Sequence, residues 1–256
     1  MLVASWNLNS IRAREERLLD WLERCDPDVV CLQELKCTAE DFPFASLQEA
    51  GYHAAVNGQK TYNGVAILAK REIDDVVAGF DDGGDDTEAR VIGGTVDGTR
   101  YVSVYVVNGR RIDSDKYAFK LKWLDRLRAY VARQDLDGRL AICGDYNIAP
   151  DDRDVYDPAK FEGATHVSQP ERDRLQALVE WGLTDVFRQH HDADSVYSWW
   201  DYRAGDFHQG RGLRIDLLMC SRSVAERSEW CLIDRNARKG KQPSDHAPVI
   251  VGFDMN

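Results

Sequence analysis

The 256-residue sequence has no apolar run that approaches the ~18 residues needed to span a bilayer, so a membrane segment is not expected. It also shows no basic-then-apolar leader, because the opening "MLVASW" already reads as a strand. The cytoplasm is the compartment this implies. Six cysteines are present (Cys25, Cys31, Cys37, Cys143, Cys220 and Cys231), but none forms Cys-x-x-Cys, which argues against a zinc or thioredoxin-like site. Cys31, Cys143 and Cys220 lie inside apolar runs and read as small buried hydrophobes. Without a secretion signal, an even count in a chain this long does not imply disulfides. There is no linker, low-complexity tract or shift in composition, so one domain over residues 1–256 is expected. Positive charge is short too: 33 Lys and Arg against 44 Asp and Glu leave a net charge of −11. Bulk charge therefore gives no support to nonspecific nucleic-acid binding. A cluster of metal-holding carboxylates would itself add negative charge, and local basic patches can still reach phosphates.

What is present is globular. Hydrophobic residues make up 43% and charged residues 30%, and the length suffices for a sizeable core. Strands are expected over 2–7, 28–33, 64–70, 91–97, 100–107, 139–145, 213–221, 229–234 and 247–253. Asp97-Gly98 marks a hairpin. Helices are expected over 12–25, ended by Asp26-Pro27, over 114–134 with Ser114 as N-cap, and over 170–182, closed by Gly182. The acidic stretch 81–88 reads as a solvated loop. Many strands with few, regular helices suggest an α/β protein of two packed sheets covered by helices.

A pattern recurs at the strand ends, where an apolar run stops at a polar residue that a core does not need. Asn7 follows "LVASW", Glu34 follows "VVCLQ", Asp145 and Asn147 follow "LAICG", and Asp245-His246 precede "APVIV". Singly, each fits a turn or a local ion pair such as Glu34 with Lys36. Asp216 is different, since a carboxylate between Ile215 and Leu217 needs a partner to offset desolvation. Together they suggest a site on one rim. Glu34, Asp145, Asp216 and Asp245 would repel one another if they converged, and a divalent cation removes that problem. Oxygen ligands favour Mg²⁺, with Mn²⁺ as a substitute, over zinc. Asn7, Asn147 and His246 add neutral donors of the kind that hold phosphate. Neighbours in extended chain point to opposite faces, so Asp216 is a better partner for His246 than the adjacent Asp245.

The segments "SWNLNSIRAR" (5–14), "PDVVCLQELKC" (27–37), "YNGVAIL" (62–68), "VYVVNG" (104–109), "GDYNIAP" (144–150), "YSWWDYR" (197–203), "RGLRIDLL" (211–218) and "SDHAPV" (244–249) occur in an order that resembles the exodeoxyribonuclease III / apurinic-apyrimidinic endonuclease family, within the DNase I-like phosphodiesterase class. Each motif is modest; the ordered set spans nearly the whole chain. The resemblance implies a four-layer α/β/β/α sandwich of two mixed sheets flanked by helices. It also implies Mg²⁺-dependent hydrolysis of DNA phosphodiesters at abasic sites and at 3′ ends of duplex DNA, by a protein that works as a monomer. By position it makes Glu34 the main metal ligand with Asn7 beside it, and puts Asp145 on the attacking water. Asn147 helps hold that water and the phosphate, and both Asp145 and Asn147 border the metal. Tyr105 and Asn108 contact the phosphate. Asp216 bonds His246, which meets a phosphate oxygen at the metal's edge, and Asp245 serves a second metal position. Trp199, Leu213 and Ile215 correspond to an apolar pocket for a base-less sugar. Lys36, Tyr62 and Arg211 correspond to the DNA-facing surface.

Four departures bear on substrate preference rather than on the chemistry: Ser10, Leu35, Val107 and Gly210 stand where Gly, Thr, Pro and Asn are usual. The basic stretches "RNARKGK" (235–241) and "GRR" (109–111) flank site segments and suit phosphate contacts. The alternative is another phosphodiesterase or phosphatase of the same class, acting on RNA, an inositol phosphate or a lipid. "RGLRID" together with Trp199 argues against it.

Overall fold

The computed structural model describes residues 1–135 and 137–254. In chain order the elements are β1 (Leu2–Asn7), α1 (Ile11–Cys25), β2 (Val29–Gln33), α2 (Phe44–Glu49), β3 (His53–Asn57), β4 (Val65–Ala69), β5 (Asp74–Ala78), β6 (Val91–Val96) and β7 (Thr99–Tyr105). They continue with α3 (Asp115–Ala132), β8 (Leu140–Asp145), α4 (Gln169–Trp181), β9 (Leu183–Asp185), α5 (Val186–His190), α6 (Asp206–Gln209), β10 (Asp216–Ser221), α7 (Arg222–Ala225), β11 (Ser228–Ile233) and β12 (Val249–Phe253). One six-stranded sheet runs β11-β12-β1-β2-β4-β3, and the other runs β5-β6-β7-β8-β10-β9. Both are mixed: β1 pairs parallel to β2 and antiparallel to β12, while β7 pairs parallel to β8, which is antiparallel to β10.

Alternation along the strands builds the layers. In β2, Val29 and Cys31 pack between the sheets against Ile67, Ala141, Cys143 and Leu218. Val30 and Leu32 face the other way, onto Leu18, Trp21 and Leu22 of α1. On the far side Val102, Val104 and Ile142 meet Trp123, Leu124 and Leu127 of α3. The central strands are thus covered on both faces, which is why they read as continuous apolar runs. The result is a four-layer α/β/β/α sandwich. Among the described residues no helix is long and apolar enough to cross a membrane.

Local signals account for the element ends. Ser114 accepts a bond from the Tyr117 N–H, and the N–H of Gly182 closes α4 onto Leu178 and Val179. Asp97 and Gly98 both have positive φ (47° and 73°), as a two-residue hairpin turn requires. Three strands were not expected from the sequence: β3, β5 and the three-residue β9. The strand expected from residue 213 begins only at Asp216, because Leu213 is bridged instead to Val155 and Trp199.

Candidate active site

The ends of parallel strands and the starts of their antiparallel neighbours share one rim. That rim collects Asn7 at the end of β1, Glu34 just past β2, Tyr105 at the end of β7 and Asp145 at the end of β8. Asp216 opens β10 directly opposite Asp145, and Asp145 also sits level with Tyr105. His246 lies in the loop that leads into β12. Gly144 makes the close approach possible, since a Cβ there would fall 1.9 Å from the Val104 carbonyl oxygen. The loops are strained as well: Asn9, Glu34, Lys36 and Asn147 all have φ near +50°. Such backbone costs of order 1–3 kcal/mol per non-glycine residue and gathers at functional sites, although Asn tolerates it best.

Three ligand-type groups converge: one atom from each of Glu34, Asp145 and His246 lies within 4.8 Å of the others. Asn7 Nδ2 sits between the acids, donating at 3.0 Å to both Glu34 Oε1 and Asp145 Oδ2. Asp145 Oδ1 accepts the Asn147 N–H at 2.8 Å, so the Asx-turn reading and the site reading of this segment are both realised. Asn147 Nδ2 donates to Val106 O and Asp145 Oδ2, and its Oδ1 accepts from Asn108 Nδ2 at 3.1 Å. His246 Nδ1 is 2.8 Å from Asp216 Oδ2, and its Nε2 points toward Asp145 Oδ2 at 3.8 Å. Ser198 Oγ donates to the same Asp216 oxygen at 2.6 Å. Ser244, expected only as a turn residue, donates to Asn7 O and accepts the His246 N–H, tying the His246 loop to β1.

The electrostatics follow from burial. Asp145 is 1% exposed; desolvation, then the nearby Asp216 and Glu34 carboxylates, raise its carboxyl to about 7 against the pull of His246. Burial alone would lower His246, but Asp216 and Asp145 outweigh it and push the imidazole up to about 10. Burial works against ionised Glu34 too, yet Lys36, 2.8 Å from Oε2, holds it below the ordinary carboxylate range. Tyr105 is raised by burial and by the Glu34 and Asp145 charges. The donor set suits a hard divalent cation. Two carboxylates crowd one spot, and an acid forced up to about 7 is one whose ionisation a cation would restore.

The remaining sequence candidates are spread around this centre. Asp245 lies outside the three-residue cluster: its carboxylate accepts from Trp199 Nε1 at 3.1 Å and Asn9 Nδ2 at 2.9 Å. Tyr62 is 68% exposed on the loop before β4. Arg211 pairs with Asp206. Trp199 is part-exposed, but Leu213 has no accessible surface and Ile215 has 2%. Several residues were missed by the sequence reading. Arg90 lies over the Tyr105 ring, 4.7 Å from its centre, and donates to the Tyr105 carbonyl. Lys120, Thr165, His166 and Glu171 form a polar cluster beneath Asn108 and Asn147. Burial and the Lys120 ammonium push His166 down to about 4, so the ring is neutral and its Nδ1–H donates to Asn147 O. Only Glu171 had a sequence signal, the Ser168-x-x-Glu171 capping box.

Comparison with known proteins agrees with this geometry. Residues 4–246 match the Endonuclease/Exonuclease/phosphatase family. Exodeoxyribonuclease III of Haemophilus influenzae is 34% identical over 267 residues, covering 99% of this chain and all of that protein. The 3′ phosphatase NExo from Neisseria, solved with a product DNA hairpin, is 41% identical with a TM-score of 0.97 over 99% of both chains. An AP endonuclease from Archaeoglobus fulgidus is 36% identical with a TM-score of 0.97 over the full length of both. With the rim of carboxylates, amides and imidazole in place on this fold, the chain belongs to the endonuclease/exonuclease/phosphatase family and, within it, to the DNA-repair nucleases of the exodeoxyribonuclease III and AP endonuclease type.

Proposed function

We propose that this chain, acting as one catalytic domain and as a monomer, uses Mg²⁺ to hydrolyse phosphate esters at 3′ ends of duplex DNA, with incision at abasic sites as a second activity. The observation that carries the reading is the convergence of Glu34, Asp145 and His246 with Asn7 between the acids. Glu34, with Asn7 and Asp145 beside it, would hold the cation, which would supply charge neutralisation and polarise the phosphoryl group. Asp145, ionised once a cation is bound and held by the Asn7 amide and the Asn147 N–H, is the proton acceptor for the attacking water. Asn108 Nδ2, with one N–H left beyond its bond to Asn147 Oδ1, and Tyr105 reach the phosphate oxygens, while the Asn147 amide, donating to Val106 O and Asp145 Oδ2, holds Asp145 in place. His246, kept protonated by Asp216, is better suited to the developing negative charge than to ligating a metal.

The order of the two activities rests on Leu213 and Ile215. They are covered, so a base-less sugar reaches them only if Trp199 and its neighbours move aside. Hydrolysis at a 3′ end needs only the rim. The test uses three duplexes: a 3′-phosphate at a nick, a recessed 3′-hydroxyl end and a central tetrahydrofuran abasic site. The expected result is fastest release from the 3′-phosphate with Mg²⁺ and none in EDTA. Glu34→Gln and His246→Gln should each lose about 10²-fold or more. Turnover in EDTA, or wild-type rates in either variant, would overturn the site. Faster hydrolysis of an inositol phosphate, a lipid or RNA than of any duplex would overturn the substrate.

A further inference from the structure

Beneath the rim, Lys120 of α3 and Glu171 of α4 form an ion pair in which neither side chain has any exposed surface. Stability alone does not call for such a pair, since well-packed apolar residues usually do as well in its place. Its other contacts suggest a different use. The Lys120 ammonium donates to the Asn147 carbonyl at 2.8 Å and lies 3.4 Å from the Asn108 carbonyl. Thr165 Oγ1, within 2.9 Å of the Asn108 carbonyl and 2.8 Å of Glu171 Oε1, bridges the two halves. Glu171 is itself fixed by the first turn of α4, where Oε2 accepts the Ser168 N–H and hydroxyl at 3.1 and 2.6 Å.

We propose that the buried Lys120–Glu171 pair is a positioning device of the hydrolytic site, setting the amides of Asn108 and Asn147 by holding their backbone carbonyls. This rests on the reading above, in which the Asn108 amide meets the phosphate and the Asn147 amide holds Asp145. The two loops are also joined through Val106, whose N–H donates to Asp145 O and whose carbonyl accepts from Asn147 Nδ2, and His166 shares the Asn147 carbonyl, but it is the Lys120 ammonium that reaches both asparagine carbonyls. Asn147 stands at φ +50°, and the side-chain bond between the two asparagines leads directly to Asp145. The pair anchors both loops to the long helix α3 and the first turn of α4 at one point. A shift of the carbonyls therefore moves both amides and the Asp145 contact together.

Steady-state kinetics on the 3′-phosphate duplex, with Mg²⁺ in excess, test this. Lys120→Met/Glu171→Gln removes the charge pair without leaving an uncompensated ion in the core. It should show a cooperative urea transition and lose about 10²-fold in kcat, the scale of a 1 Å misplacement, with KM within about threefold. Thr165→Val keeps the pair and the side-chain shape, and should lose about three- to tenfold in kcat. Wild-type kcat in the folded double variant, or a raised KM with kcat unchanged, overturns the proposal. If the double variant does not fold, Thr165→Val decides alone: a kcat loss supports the proposal and unchanged kcat overturns it. Asn147→Ala separates the two readings. Wild-type turnover in that variant sinks the site assignment itself, whereas an inactive Asn147→Ala with unaffected network variants sinks only the positioning role.

Discussion

The sharpest energetic consequence of the site lies in the pH dependence of the metal-free protein, and Asp216→Asn isolates it. His246 is held at about 10 in the folded state, chiefly by Asp216 at 2.8 Å working against burial, whereas its ordinary value is 6.5. The native state therefore binds this proton more tightly than the unfolded chain. The stability it contributes is complete below pH 6.5 and is lost as pH rises through 10. At about 1.4 kcal/mol per pH unit, the interval sets a ceiling of about 5 kcal/mol. Asp145 adds a slope of the same sign at lower pH: raised from 3.8 to about 7, it too favours the folded state when protonated and weakens it as pH climbs through 7.

Urea unfolding followed by tryptophan fluorescence in EDTA, at intervals from pH 5 to 10, measures this directly. Asn at 216 keeps the shape and can accept from Ser198, but it carries no charge to hold the imidazolium. The wild-type advantage over Asp216→Asn should be largest below pH 6.5 and shrink by several kcal/mol, up to that ceiling of about 5, toward pH 10. Groups remote from Asp216 cancel in the difference; Asp145, which the Asp216 charge helps to raise, does not, so the interval from about pH 7 to 10 is the one that reports His246. A difference that stays flat across this range would refute the charge coupling between Asp216 and His246.

Three further outcomes are expected. Lys36→Ala removes the ammonium that competes for Glu34 Oε2, a part-exposed pair worth about 1 kcal/mol, so calorimetry should find Mg²⁺ bound about fivefold more tightly; unchanged or weaker binding counts against the competition. Arg90→Met strips the cation from the Tyr105 ring and the bond to the Tyr105 carbonyl, about 1–2 kcal/mol of restraint. Single-turnover rates should fall about tenfold, and a wild-type rate would release Arg90 from any role at Tyr105. Arg214→Met takes the buried counter-ion from Asp185 and leaves Asp154 with Arg188 alone, and should cost about 3–5 kcal/mol in urea unfolding. The specific activity of its folded fraction should stay unchanged, since this network touches none of the rim residues.

Much of this architecture was legible because its signals are local or periodic. The central strands announce themselves by apolar runs, α3 by its Ser114 cap and apolar stripe, and the β6–β7 hairpin by Asp97-Gly98. The pairing of His246 with Asp216 was legible because alternation set the adjacent Asp245 aside and a carboxylate between Ile215 and Leu217 needs a partner. Of the edge strands, β3, β5 and β9 did not announce themselves: β5 reads "DDVVA" and is mostly exposed, so it carries neither alternation nor an apolar run. Long-range polar partners were equally silent. Lys120 sits among the charged residues of α3, where a lysine reads as solvated, and Glu171 lies 51 residues away. The bonds that Asp245 accepts from Asn9 and Trp199 span 236 and 46 residues, a distance over which sequence spacing carries no geometric information.

The same features that hide in the sequence explain why the rim is built as it is. A site chosen for stability would not place Asp145 at 1% exposure within reach of Glu34 and Asp216, nor hold Glu34 and Asn147 in left-handed backbone. Those costs are offset around the edge rather than at the centre. Asn7 donates to both acids, Ser198 and Ser244 lock the Asp216 and His246 segments, and Lys36 screens Glu34. The offset is partial by necessity. A fully satisfied cluster would have no affinity left for a cation or a phosphate, so Asp145 must remain poorly ionised until one arrives. The split between Asp245 and His246 serves the same end. The bend at Asp245, in the loop before β12, sends the carboxylate outward to Asn9 and Trp199 and leaves the imidazole turned inward to Asp216, so the rim gains a positive charge without placing another carboxylate in the central cluster.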